Sequence, residues 1–189
     1  MTVAQAWPWL RQGASDLRTA RILLDAALGD ARSGQGSAEQ FGREDAGCHV
    51  AAMCAQTIEK SIKGYVVLNG STPAFDHRPD KYLILLLPRT QNPLLRYLDH
   101  ENKLSQIFDQ DTCAAITQLL DLTPGGRGNR NDLPNTEYPW TEEDRWRWSP
   151  CGAHEFAEDA DWRRWFSAAT RIHGGLFRLF EAVRRASMH

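Results

Sequence analysis

Apolar residues recur along most of this chain at steps of three and four, the spacing of one face of a helix. Residues 9–28 show it first, through Leu10, Ala14, Leu17, Ala20/Arg21, Leu24 and Leu28, while Asp16, Arg18, Arg21 and Asp25 stay polar. Pro8 suits an early helical position. Residues 48–70 carry the pattern most fully: Val50, Met53, Cys54, Thr57, Ile58, Ser61, Ile62, Tyr65 and Leu68 share one face. Gln56, Lys60 and Lys63 form a short polar strip beside it, Glu59 stands four residues before Lys63 in the favourable order for a helical ion pair, and Asn69-Gly70 is a stop signal. Shorter helices are predicted over 79–87, ended by Pro88, and over 93–101. Another is predicted over 105–122, with Asp111 or Thr112 capping a turn within it.

The last and longest predicted helix covers 154–187. Its apolar face holds Trp162, Trp165, Phe166, Ala169, Ile172, Leu176, Leu179, Phe180 and Val183. Acidic residues gather in its first turns, where the helix dipole favours them. Gly174-Gly175 marks a kink or a close helix crossing. Arg164, Arg171, Arg178 and Arg185 fall at intervals of seven, so each drifts only about 20° from the last and the four make one stripe away from the core face.

Between these helices lie two long connections. Residues 29–45 are rich in Gly, Ser and charge and read as a flexible loop. Residues 123–151 form a long loop before the last helix, in which Tyr138, Trp140, Trp146 and Trp148 alternate with Arg127, Arg130, Arg145 and Arg147. Aromatic rings that stack on bases, interleaved with Arg, suit single-stranded RNA. The same rings also serve to pin a long loop to a bundle, with Arg stacked on indole. The expectation is therefore an all-α, antiparallel bundle of four to five main helices in a single domain over 1–189.

Composition narrows the function more than the fold. The chain has 189 residues, 42% hydrophobic and 24% charged, with a net charge of −2. No global field draws it to nucleic acid or to a membrane surface, so an RNA site has to be a local basic patch. Of 22 basic residues, 18 are arginine, the better residue for bidentate phosphate contacts. The longest apolar run, 82–87, is far too short to span a bilayer, and the first residues lack signal-peptide architecture. Cys48, Cys54, Cys113 and Cys151 form no disulfide-like or metal-binding framework; buried or free thiols in a reducing cytoplasm are expected, with no metal and no cofactor.

The stretch AQTIEKSIKGYVVLNG, then His77 and DKYLILLL, resembles the HEPN family of small helical bundles. Gln56, Glu59, Lys60, Lys63, Gly70, His77, Leu83 and Leu86 fit its pattern. The segment ASDLRTARILLDAAL resembles the family's first helix, and NTEYPW its Tyr-Pro element before the last. The resemblance implies RNA cleavage or nucleotide binding, a homodimer, a nucleotidyltransferase partner, and membership of a toxin–antitoxin or defence-type pair. It also directs attention to an Arg followed, four to six residues on, by a His near the start of the last helix.

Arg147 and His154, six residues apart, are the candidates by position. In that chemistry the His acts as general base or acid for 2′-OH attack, and the Arg stabilises charge on the phosphate. The motif is degenerate, since Trp148 follows Arg147 where the family favours a polar residue, and Pro150 intervenes. Candidate RNA or nucleotide contacts are Lys60, Lys63, His77, Arg130, Arg164, Arg171 and Arg178. Three functions stay open: an RNA or nucleotide binder, a non-catalytic docking module, and a metal-independent endoribonuclease.

Overall fold

The computed structural model describes residues 3–29, 37–73, 107–121, 140–142, 145–147 and 159–188. They form an all-α bundle of four helices: α1 (Val3–Gly29), α2 (Ser37–Leu68), α3 (Gln110–Asp121) and α4 (Asp159–Ala186). Cross-helix contacts give their directions. Gly64 of α2 faces Leu10 and Gly13 of α1 faces Thr57, so α1 and α2 are antiparallel. Gly47 meets Trp162 and Ser61 meets His173, so α2 and α4 run the same way. Gln118 bonds Trp165 while Thr112 reaches Arg171, so α3 runs against α4. The order is up-down-up-down.

α1 begins earlier than the pattern predicts and keeps Pro8 inside it. The missing Pro8 N–H costs one backbone bond, and Ala6, fully buried, holds the first turns on the core. α2 also begins well before residue 48, so part of 29–45 is helical rather than loop. Gly47 explains how that turn packs: a Cβ there would lie 2.2 Å from the Trp162 ring, so only glycine lets the indole seat against the helix.

α2 is the central helix. From Thr57 to Asn69 every residue except Lys60 is buried, the condition of a helix surrounded by protein. It stops at a Schellman motif: Gly70 has φ +87°, its N–H bonds to the Val67 carbonyl at 3.0 Å, and Ser71 N–H to that of Val66 at 3.0 Å.

α3 is capped by neither residue that the sequence suggested. Asp109 is the cap, its Oδ1 accepting the Thr112 N–H at 2.8 Å. The predicted face of α4 is the core face, with Trp162 and Trp165 almost wholly buried, except that Phe166 lies partly open beneath the Arg21 guanidinium. Gly175 marks a close crossing: a Cβ there would meet Ile107 at 2.2 Å.

Part of the Trp-rich segment is not irregular. β1 (Trp140–Glu142) and β2 (Arg145–Arg147) pair antiparallel, with Trp140 opposite Arg147. The helices predicted over 79–87 and 93–101 lie outside the described residues. None of the described helices is long and apolar enough to cross a membrane.

Candidate nucleic-acid interface

The sequence-derived candidates divide into two groups. Lys60 and Lys63 belong to the packing seam between α1 and α2, not to a ligand-facing strip. Lys63 is 5% exposed, donates to Glu59 at 2.6 Å and lies 5.6 Å from the Trp9 ring centroid. That ion pair and cation–π contact satisfy the ammonium inside the bundle. Lys60 reaches across to Asp16 at 3.7 Å. Asp16, expected to stay on the polar side of α1, is buried; Gln12 donates to its Oδ1 at 2.8 Å.

The arginines of α4 are placed the other way. Arg164, Arg171, Arg178 and Arg185 are all exposed. Each interval of seven advances about 10 Å along the axis, and the small angular drift keeps the row on one side of the helix. Arg171 leans towards α3: its Nη1 pairs with Asp109 and lies 3.4 Å from the Thr112 hydroxyl. Hydrogen bonds from the Thr112 side chain and backbone, aided by the Arg171 charge, hold the Asp109 carboxyl below its ordinary range.

Between the start of α3 and α4 lies an open groove of about 320 Å³, lined by Asp111, Thr112, Arg164, Ser167, Ala168 and Arg171. Together with the Asp111 carboxylate, two guanidiniums and two hydroxyls from two helices thus face one space. Such donors bind phosphate oxygens well.

Arg147 ends β2, in register with Trp140. His154, its proposed partner, lies outside the described residues, as do His77 and Arg130. Among the described residues no cluster of His, Cys, Asp and Glu could hold a metal ion.

A histidine that sequence reasoning passed over sits at the heart of the bundle. His173 is 8% exposed, and its Nδ1 lies 2.9 Å from the Ser61 hydroxyl. That hydroxyl donates to the Thr57 carbonyl at 2.7 Å, so the imidazole donates from Nδ1 to Ser61 and carries its lone pair on Nε2. Gly13 of α1 closes over the pair; a Cβ there would lie 3.1 Å from Ser61 Oγ and 3.3 Å from Nδ1. Burial, helped by the charge of Arg18, pushes the His173 pKa below its ordinary value. With the serine proton committed to a backbone carbonyl, this is a structural junction of three helices rather than a nucleophile and its base. Its signal in the sequence was a polar residue falling within an apolar stripe.

At the end where α1 begins and α4 finishes, Val3, Ala4, Trp7, Phe180, Glu181 and Arg184 line a second, more apolar groove of about 620 Å³. Trp7 is 40% exposed and stacks on Phe180 with centroids 5.6 Å apart.

Fold and surface together define an all-α bundle with a row of exposed arginines on its last helix. No family model, curated protein or solved structure matches the chain.

Proposed function

We propose that this protein is a HEPN-like bundle that binds single-stranded RNA or a nucleotide through the basic face of α4. The observation that carries this reading is the arginine row, two of whose members, Arg164 and Arg171, open on a groove that also holds the hydroxyls of Thr112 and Ser167. A protein of net charge −2 can hold RNA only where cations are gathered, and four arginines are gathered on one exposed helix face. Lys63 has no part in this contact, because its charge is used inside the bundle, and Lys60, half-buried, is turned towards Asp16. The HEPN assignment, the homodimer, the toxin–antitoxin or defence-type setting and cleavage by Arg147 and His154 draw on the resemblance around residues 48–87 and on the position of that pair.

The test is binding of labelled single-stranded RNA across a salt series. Affinity should fall with salt, by about 0.7 in the logarithm per phosphate contact and tenfold salt step. Neutralising Arg164, Arg171 and Arg178 together should weaken binding and flatten that slope. Metal-free incubation in EDTA, wild type beside His154→Ala, separates a nuclease from a binder. Binding that ignores both salt and the three arginines sinks the reading.

A docking module for a nucleotidyltransferase partner is the second reading, favoured by the apolar groove around Trp7. It predicts that Trp7→Ser abolishes capture of such a partner while the arginine variants leave it intact.

A further inference from the structure

The two carboxylate oxygens of Asp109 do different work. Oδ1 accepts the Thr112 N–H and caps α3, whereas Oδ2 faces Arg171. The second contact is open to water, with side-chain exposures of 44% for Arg171 and 42% for Asp109, so it is screened and readily exchanged. Arg164, two turns earlier on α4, lines the same groove with no ion-pair partner among the described residues. Asp109 and Asp111 set two carboxylates beside the two guanidiniums of Arg171 and Arg164 at this end of the face.

Resting on the reading above, we propose that the α3–α4 groove is a phosphate subsite for RNA and that Asp109, through its ion pair with Arg171, competes with the phosphate for that guanidinium. A backbone phosphate of the strand takes the place of Oδ2 on Arg171 and is shared with Arg164, with the Ser167 hydroxyl as a further donor. Carboxylate and phosphate oxygens offer a guanidinium the same kind of acceptor. Because the cap uses the other oxygen, Asp109 releases Arg171 without uncapping α3. Asp109 therefore sets the affinity of the face by competing with its ligand.

Asp109→Asn is the discriminating substitution. Asn caps a helix as well as Asp does, but it brings no charge to Arg171. Anisotropy of a fluorescein-labelled single-stranded RNA, at one fixed salt concentration, is compared for wild type, Asp109→Asn, Arg171→Ala and the double variant. Matching circular dichroism and urea midpoints for Asp109→Asn and wild type show that α3 is intact. The expected result is binding about fivefold tighter in Asp109→Asn, from removal of one like charge beside the phosphate. Arg171→Ala should bind more weakly, and the gain should vanish in the double variant. Unchanged affinity in Asp109→Asn, with salt-dependent binding by wild type, overturns the subsite and leaves the basic-face reading standing. An undiminished gain in the Arg171→Ala background also overturns it, since Asp109 would then act on the general field. Absence of binding in all four proteins overturns both.

Discussion

Lys63 of α2 and Arg164 of α4 are both long cations on amphipathic helices, yet the bundle treats them oppositely. Lys63 is buried, pinned to Glu59 and laid over an indole, while Arg164 stands in solvent at the lip of a groove. Inside, a charge is tolerated because a partner neutralises it at once; outside, a charge needs no partner and stays free to meet a ligand. Helical position relative to an apolar stripe does not separate the two. What separates them is how many neighbours surround the helix. α2 is enclosed along its second half, and α4 keeps one side in water.

The largest way to break this contrast is to remove the inner ammonium. Lys63→Met removes a 2.6 Å ion pair from the buried Glu59 carboxylate and should cost about 3 kcal/mol in urea denaturation. Glu59→Met in the same chain should recover most of that loss, because two apolar side chains then fill the seam. Failure of the second change to rescue would mean that the pair holds the seam by more than mutual neutralisation.

The adjacent glycines of α4 sharpen the same comparison within a single turn. Gly175→Ala drives a methyl into Ile107 and should destabilise by about 1–3 kcal/mol. Among the described residues Gly174→Ala meets only the end of Arg178 at 3.6 Å, and it should stabilise by about 0.5–1 kcal/mol through helix propensity. Thermal melts of the two variants should therefore move in opposite directions.

His173 links the interior to pH. Its folded pKa lies below the ordinary 6.5, so between those two values the unfolded chain binds the extra proton. Its contribution to stability is fully present above about pH 6.5 and is lost as pH falls towards the folded value, by at most about 1.4 kcal/mol per pH unit. In His173→Gln that component of the slope between pH 7.5 and 5.5 should disappear. An unchanged slope would assign it to other groups.

The smallest effect on stability belongs to the outer row. Arg164→Ala and Arg178→Ala should leave the urea midpoint where it is, since exposed charges with no ion-pair partner among the described residues add little. Their effect should appear only in RNA affinity, which makes them the cleanest separation of fold from function.

Much of this was legible along the chain. The face of α4, the stop at Asn69-Gly70 and the exposure of the arginine row all follow from helical period and residue type, whereas Gly174-Gly175 left a kink and a close crossing open until Ile107 was seen against Gly175. The early part of α2 was not legible, because its Gly- and charge-rich composition is that of a loop; burial of Ala46 and the seat of Trp162 over Gly47 hold the turn next to residue 48 on the core. The α3 cap was missed by two or three residues. An Asp followed three positions on by a Thr whose N–H needs an acceptor is a local signal, but Asp111 and Thr112 offered competing ones.

Helix formation, the apolar faces and the recurrence of arginine every seventh residue in α4 are written in the order of the residues. Those properties depend on near neighbours along one helix, within reach of a periodicity argument. Which polar groups are interior depends on how the helices pack. Asp16, Lys63 and His173 look like surface or boundary residues until a second and third helix close over them, and Asp109 and Arg171, 62 positions apart, become partners only when α3 lies against α4. Burial and pairing are properties of the assembled bundle, because they depend on what the other helices bring to the same point in space.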